Sequence, residues 1–168
     1  MIIRLADVKD AKGIARVQVE SWHTTYPGIV PKSYLDSLDV KKREKIWKQA
    51  AQNQPLYVAE LEGDIVGFAI GGENRDKDTY PEYDGELYAI YSLKRVHKRG
   101  IGRELFEQTA RNLSARGFKK MVVSVLSENP AVDFYKHMGG HFLGEETITI
   151  DGKAIAESFY GYDDISKI

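Results

Sequence analysis

The chain contains no cysteine among its 168 residues. Disulfide bonds, thiolate metal sites and a cysteine nucleophile are therefore excluded. Its four histidines are His23, His97, His137 and His141, and none of them forms the H-E-x-x-H pair of a zinc enzyme. These absences predict a protein without a metal site.

Long apolar runs and a strong excess of one charge are also missing. The first residues, MIIRLADVKD, lack the apolar stretch of a signal peptide or membrane span, which predicts a cytoplasmic protein with no membrane partner. The formal net charge is −1, so no overall field attracts nucleic acid, and we expect no nucleic-acid partner. A composition of 42% apolar and 29% charged residues is typical of globular proteins, and the length predicts one domain over residues 1–168.

A strand, a basic glycine loop and a helix follow one another directly between Gly85 and Phe106. The apolar run from Leu87 to Leu93 predicts a buried strand. The stretch from Lys94 to Arg99 is basic, and Gly100 and Gly102 let a ligand approach bare backbone where the next helix begins. Since the first N–H groups of a helix have no partner and its dipole favours an anion, this arrangement predicts a phosphate-binding loop. A plain strand-to-helix turn with solvated charges is the alternative.

Two common nucleotide-binding motifs do not fit this loop. Gly100-Ile101-Gly102-Arg103-Glu104-Leu105 ends in leucine where a Rossmann turn has glycine, and the G-x-x-x-x-G-K-S/T phosphate loop is missing. After the helix, Lys119 to Leu126 predicts a strand, so strand, helix and strand indicate a right-handed parallel crossover. The segment NPAVDFYKHMGG then starts with an N-cap, Asn129, followed by proline, a combination that begins helices.

Together these segments resemble the acyl-CoA signatures of the GCN5-related N-acetyltransferases, the GNAT family. The loop pattern of the family is Q/R-x-x-G-x-G/A, and the chain reads HKRGIG, with His97 in place of glutamine or arginine. The family also commonly shows N-x-x-A-x-x-F-Y-x-x-x-G-F, which the segment from Asn129 follows with Ala131 one place early. The resemblance implies an α/β GNAT fold with a mixed central sheet of about seven strands flanked by helices.

The resemblance further implies that the acetyl group of acetyl-CoA moves to a primary amine by direct attack in a ternary complex. This reaction needs a proton acceptor, a donor for the oxyanion and a hydrogen bond for the departing thiolate, but no nucleophilic side chain. The competing interpretation is a non-catalytic acyl-CoA-binding or sensor module on the same fold. The acceptor stays open among polyamines, small amines, amino acids and protein amines, and a homodimer is an open alternative to a monomer.

The resemblance also implies candidate catalytic and acceptor-binding residues. Glu86, at the start of the central strand, lies where some histone-acetylating members carry a general base, although ordered water serves in other members. Tyr135 matches the family tyrosine near the sulfur of CoA, with a core aromatic as the alternative. Trp22 and Tyr26 lie where the first helix ends, a region that borders the acceptor pocket in the family, and core packing is the competing explanation.

The implied cofactor contacts fall into three groups. The end of the central strand would pair with pantetheine, the glycine loop would bind the pyrophosphate, and Asn129 would bind the pantetheine arm or act only as an N-cap. The residues concerned are Ile90, Tyr91, Ser92, His97, Lys98, Arg99, Gly100, Ile101, Gly102, Arg103 and Asn129. A separate acidic loop, Gly72 to Asp84, is expected either to attract a cationic amine or to be solvated surface.

Overall fold

Segments of helical and strand periodicity alternate along the chain, and the computed structural model describes all residues from 1 to 168. In chain order the elements are β1 (Ile2–Leu5), α1 (Ala11–Thr25), α2 (Lys32–Ser37), α3 (Val40–Asn53), β2 (Leu56–Leu61), β3 (Asp64–Glu73), β4 (Gly85–Ser92), α4 (Ile101–Ala115), β5 (Met121–Leu126), α5 (Ala131–His137), β6 (His141–Ile150) and β7 (Lys153–Tyr162). None of the helices combines the length and apolarity needed to cross a lipid bilayer.

Short polar side chains fix where several helices begin. Asp7 accepts a hydrogen bond from the backbone N–H of Lys9 before α1, and Asp39 accepts one from Lys41 at 2.8 Å before α3. Asn129 does the same for α5, since its Oδ1 accepts from the N–H of Ala131 at 2.8 Å. Each bond satisfies an N–H group that the first turn of a helix leaves without a partner.

The strands form one mixed sheet in the order β1-β2-β3-β4-β5-β7-β6. Neighbouring strands are antiparallel except at the centre, where β4 and β5 are parallel and joined through α4. The predicted seven-stranded mixed sheet and its parallel crossover are therefore confirmed. Because β4 is the central strand, the loop that leads from its end into α4 lies at the middle of the sheet.

The central parallel pair is very short. Only Gly85 with Met121 and Glu86 with Val122 pair across these two strands. Beyond them β4 runs on to Ser92 and β5 to Leu126 without pairing with each other. The two strands therefore diverge, and the sheet has a wedge-shaped opening between Leu87–Ser92 and Val123–Leu126. We call this opening the wedge.

A bulge in β4 sets which side chains face each side of the sheet. Ile70 pairs with Ala89 and Gly71 with Leu87, so Tyr88 is an extra residue without an opposite partner. A bulged residue reverses the alternation of side chains beyond it. Consequently Tyr91, beyond the bulge, lies on the same side as Phe68 of β3, with the ring centroids 5.6 Å apart.

Helices cover both faces of the sheet. The rings of Phe68 on β3 and Trp47 on α3 lie 4.8 Å apart, whereas a Cβ on the neighbouring Gly67 would approach Leu105 of α4 to 3.1 Å. Since successive strand residues point to opposite faces, α3 and α4 lie on opposite sides of the sheet. Gly67 and Gly71 both lie beneath α4, and their missing side chains let that helix pack closely on β3.

Phe106 of α4 tests how strongly this second face contributes to stability. Its side chain is fully buried and contacts Phe134 and Tyr162. Phe106→Ala should lower the free energy of unfolding by about 3–5 kcal/mol because it leaves a cavity under α4. Phe142→Ala is the matched control, since Phe142 is 55% exposed, and it should cost less than about 1 kcal/mol. Urea denaturation measures both, and equal losses would contradict the assignment of Phe106 to the core.

Candidate active site

The basic loop before α4 presents a row of unpaired donors. The backbone N–H groups from Lys98 to Arg103 find no acceptor within the protein. Lys98 and Gly100 both have left-handed backbone, with φ of 62° and 81°. Alternating handedness turns successive N–H groups toward one point, and the positive end of the α4 dipole lies beside them. This arrangement suits an anion, and for that reason we call residues 98–103 the anion-binding loop.

The side chains of this loop differ in how free they are. Lys98 and Arg99 are exposed and make no ion pair, so their charges reinforce the backbone donors. Arg103 binds Glu107 at 2.8 Å, so part of its charge is already neutralised. The ring of His97 forms a hydrogen bond with the carbonyl oxygen of Ser92 at 3.0 Å. His97 thus ties the loop to the end of β4.

Tyr135 contributes an unpaired hydroxyl beside the wedge. Its side chain is buried, and its hydroxyl makes no hydrogen bond within the protein, although Tyr162 donates a bond to its backbone oxygen at 2.7 Å. Burial, followed by the neighbouring phenols of Tyr91, Tyr26 and Tyr162, raises its pKa well above that of free tyrosine. The phenol therefore stays protonated around neutral pH and can donate a hydrogen bond to an incoming anion.

Trp22 and Tyr26 connect the end of α1 to both sides of the wedge. The indole N–H of Trp22 donates to the hydroxyl of Tyr91 on β4 at 3.1 Å. The amide of Asn129 donates to the hydroxyl of Tyr26 at 2.9 Å, while its oxygen caps α5. Tyr26 is buried and Trp22 packs on it with ring centroids 4.4 Å apart. Both aromatics pack in the protein beside the wedge, and a contact with the acceptor stays a prediction.

Glu86 lies at the closed end of the wedge, where it is bound by Arg75. Its carboxylate accepts from the backbone N–H of Arg75 at 2.9 Å and from the guanidinium at 2.6 Å, and it is largely buried. The guanidinium also lies over the ring of Tyr88, 4.0 Å from its centroid. The bond to Glu86 raises the pKa of Arg75. The predicted base is therefore held in a fixed ion pair.

A cavity of about 220 Å³ lies beside Glu86, on the face of the sheet opposite α4. It contains four carboxylates and a single guanidinium, so its local charge is strongly negative although the whole chain is nearly neutral. Two aromatic rings, Tyr80 and Phe159, pack 5.2 Å apart at its wall. The full lining is Asn74, Arg75, Asp76, Tyr80, Glu86, Val122, Ser124, Glu146, Glu157 and Phe159. We call this space the acidic cavity.

Glu146 and Glu157 were missed as site residues from the sequence, yet a signal was present. The Asp151-Gly152 turn joins β6 to β7, and counting outward from it places Glu146 opposite Glu157, as the observed register does. What the sequence did not indicate is that this face of the hairpin meets the start of the wedge.

The predicted acidic loop contributes less to this field than expected. Glu73 forms an ion pair with Lys77, and Asp84 accepts hydrogen bonds from the N–H groups of Lys119 and Lys120. Asp76 accepts from Thr79 and is the one acidic residue of Gly72–Asp84 that lines the acidic cavity. Glu73, Asp76 and Asp84 therefore have structural partners, and the negative charge beside the wedge that no cation neutralises comes mainly from Glu146 and Glu157.

A larger cavity, of about 380 Å³, lies before the start of β4 and β5. Its lining includes the Glu73–Lys77 ion pair and Asp84, whose carboxylate is bound to backbone N–H groups. It borders neither the wedge nor the anion-binding loop. The smaller cavity, where charged groups and the open strands meet, is therefore the candidate active site.

A mixed sheet opened between its central parallel strands, with an anion-binding loop at the opening, defines the class of GNAT folds. A sequence model described as the acetyltransferase (GNAT) family matches residues 17–140, and the chain belongs to this family. The chain is 37% identical over 166 residues to the uncharacterized N-acetyltransferase YuaI of Bacillus subtilis (strain 168). The aligned region covers 99% of this chain and 95% of that relative.

Solved structures share the whole fold. The ribosomal-protein-alanine N-acetyltransferase from Brucella melitensis is similar with a TM-score of 0.76 at 20% identity, covering 97% of this chain and 99% of that one. The protein yncA from Salmonella typhimurium, solved with its cofactor acetyl-CoA, gives a TM-score of 0.74 at 22% identity, and the match covers 97% of this chain and 93% of that one. These likenesses confirm the predicted GNAT fold.

Asn129 allows the capping contact to be separated from its bond to Tyr26. Asn129→Ala removes both and should lower the free energy of unfolding by about 0.5–2 kcal/mol. Asn129→Asp keeps an oxygen that can cap Ala131 but loses the amide donor, so its loss should be smaller. Urea denaturation of the two variants measures the difference. Equal losses would show that the cap contributes nothing and that the bond to Tyr26 carries the whole effect.

Proposed function

We propose that this protein transfers the acetyl group of acetyl-CoA to a primary amine, with residues 1–168 acting as one domain. The observation that carries the proposal is the meeting of three features along β4 and β5. The anion-binding loop follows the end of β4, the wedge separates the two strands, and the acidic cavity lies where they part. An anionic cofactor and a cationic acceptor can therefore approach one reaction point from different sides.

The cofactor is proposed to bind along the open strands. The free N–H groups from Lys98 to Arg103, including those of Gly100, Ile101 and Gly102, suit the pyrophosphate, and Lys98 and Arg99 add charge. The backbone of Ile90, Tyr91 and Ser92 lies at the unpaired edge of β4 and suits the amide groups of pantetheine. Asn129, at the opposite side of the wedge, completes this set. The acetyl-CoA bound to yncA supports the assignment.

The acceptor is proposed to enter through the acidic cavity. Its carboxylates attract a protonated amine, which must lose a proton before its nitrogen can attack the thioester carbonyl. Free backbone N–H groups on the inner edge of β4 can stabilise the oxyanion, and Tyr135 can donate a hydrogen bond to the departing sulfur. Trp22 and Tyr26 border this point through their bonds to Tyr91 and Asn129. Glu86, the base predicted from the sequence, lines the same cavity.

The alternative is a module that binds acyl-CoA without catalysis. The unpaired hydroxyl of Tyr135 and the acidic cavity favour an enzyme, since binding the cofactor alone requires neither. Detection of free CoA thiol across a panel of primary amines tests the difference. Stoichiometric binding of acetyl-CoA with no turnover for any amine would support the binding module. A cytoplasmic location and a homodimer stay predictions.

Gly102 tests the proposed pyrophosphate site. A Cβ on Gly102 would lie 3.6 Å from the Phe134 ring, an ordinary contact, so Gly102→Val should keep the fold. The side chain would nevertheless fill space above the free N–H groups, and we expect the affinity for acetyl-CoA to fall by at least about tenfold, since a single lost charge-assisted contact is worth about 1.5–3 kcal/mol. Isothermal titration calorimetry measures the change.

Ala115→Val is the control for this experiment, because Ala115 is exposed at the far end of the same helix. It should bind acetyl-CoA as the unmodified protein does. Unchanged affinity in a folded Gly102→Val protein would show that the loop does not bind the cofactor.

Tyr135 tests the proposed hydrogen bond to the sulfur. Tyr135→Phe removes only a hydroxyl that has no partner in the protein, so packing should survive while kcat falls by about 10²–10⁴-fold. Tyr160→Phe is the matched control, because Tyr160 is buried in the same apolar cluster and its hydroxyl also makes no hydrogen bond. Acetyl-CoA affinity should change little in either variant. An unchanged kcat for Tyr135→Phe would show that Tyr135 only packs in the core.

A further inference from the structure

Glu157 occupies the same acidic cavity as Glu86 but has a very different environment. It lies on β7, opposite Glu146 on β6 and opposite Leu126 at the end of β5. Its side chain is partly buried, and its carboxylate makes no hydrogen bond and no ion pair within the protein. Among the carboxylates that line the acidic cavity, it combines partial burial with two free oxygens.

The pairing of Glu157 with Glu146 opposes folding. Like charges directly opposite each other on antiparallel strands repel, and neither carboxylate has a lysine, arginine or histidine within ion-pair distance. Glu146 is exposed, so water screens part of the repulsion, but Glu157 is partly buried and has no cation within ion-pair distance. This kind of arrangement is typical of groups that bind or deprotonate a ligand.

Glu86 is poorly suited to accept a proton in comparison. Both of its oxygens receive hydrogen bonds from Arg75, at 2.9 Å from the backbone N–H and at 2.6 Å from the guanidinium. Protonating this carboxylate would break a charge-assisted ion pair that is largely buried on the Glu86 side. Both oxygens of Glu86 are therefore already occupied before a ligand arrives.

We propose that Glu157, rather than Glu86, accepts the proton from the amine during acetyl transfer. This inference rests on the proposed function and assigns one of its steps. Three observations support it: Glu157 lines the acidic cavity, both of its oxygens are free, and both oxygens of Glu86 are bound by Arg75.

The step conserves atoms and charge. The Glu157 carboxylate takes one proton from the ammonium group, and the neutral nitrogen forms a bond to the carbonyl carbon of the thioester. The carbon–sulfur bond then breaks, and the second nitrogen proton neutralises the thiolate while Tyr135 donates a hydrogen bond to the sulfur. The products are the amide, the free thiol of CoA and a protonated Glu157, which returns its proton to water.

The electrostatic surroundings of Glu157 agree with this role. Burial raises its pKa first, and the carboxylates of Glu146 and Glu86 raise it further. The acidic cavity also contains Asp76, the phenol of Tyr80, and Arg75, which is held by Glu86. The phenol of Tyr26 lies nearby as well, and the charge of Glu157 contributes to its raised pKa. A carboxylate with a raised pKa is a stronger base and matches the proton transfer better near neutral pH.

Replacing Glu157 with glutamine tests the proposal in the full-length protein. The acceptor is the most active amine of a panel of putrescine, spermidine, ethanolamine, glycine, lysine and an alanine-terminated peptide, with free thiol as the readout. Glu157→Gln should lower kcat/KM by about 10²–10⁴-fold near neutral pH and abolish the acidic limb of the pH–rate profile. The affinity for acetyl-CoA, measured by calorimetry, should not change, because the cofactor contacts lie elsewhere.

Two matched variants separate the base from its neighbours. Glu146→Gln removes one negative charge beside Glu157, so the acidic limb should persist and move to lower pH. Glu86→Gln should also keep the limb and move it to lower pH, while weakening the binding of a cationic acceptor. If Glu86→Gln abolishes the limb and Glu157→Gln keeps it, Glu86 is the base and the proposal is overturned, although acetyl transfer itself stands.

The free energy of unfolding of Glu157→Gln distinguishes a catalytic base from a residue with a merely structural role. Because the folded protein raises the pKa of Glu157, its charge destabilises the fold at pH values above the ordinary range for glutamate. Glu157→Gln should therefore unfold at a higher urea concentration than the unmodified protein at neutral pH while being much slower as an enzyme. A variant that loses stability together with activity would indicate a structural role and overturn the proposal. An unmodified protein that binds acetyl-CoA but acetylates no amine would overturn the proposed function itself.

Discussion

Strands β4 and β5 separate because each is committed to a different neighbour. β4 pairs with β3 up to Ser92, while β5 pairs with β7 along its whole length, from Met121 to Leu126. Only two residue pairs remain to join them. Beyond that point the strands follow the twist of their own half of the sheet, so the backbone groups facing the gap lack protein partners. The anion-binding loop, Tyr135 and the acidic cavity are all positioned by this separation.

The sequence was sufficient for the local elements. The predicted strands Leu87–Leu93 and Lys119–Leu126 lie within two residues of the ends of β4 and β5, and Gly100 and Gly102 mark the loop whose N–H groups are free. The parallel crossover followed from strand, helix and strand in succession, as the observed β4–β5 pairing confirms. These features depend on residues that are close in the chain.

The features that were not predicted depend on the path of an irregular loop and on which strands become neighbours in the sheet. The ion pair between Arg75 and Glu86 joins an irregular loop to a strand, and no periodicity indicates it. Glu146 and Glu157 face each other because of a hairpin turn, but their approach to Glu86 depends on where β7 lies in the sheet. The net charge of −1 likewise gives no indication that four carboxylates line one cavity. The roles of the predicted site residues remain predictions.

The short contact between β4 and β5 has a thermodynamic consequence. A ligand that pairs with the free edges of both strands would bridge the two halves of the sheet and would bind only the folded chain. Folding and ligand binding are then linked equilibria, and a ligand at about one hundred times its dissociation constant adds about 2.7 kcal/mol to the free energy of unfolding. The resistance of this protein to unfolding, and hence its lifetime against proteases, would then rise and fall with the concentration of free acyl donor.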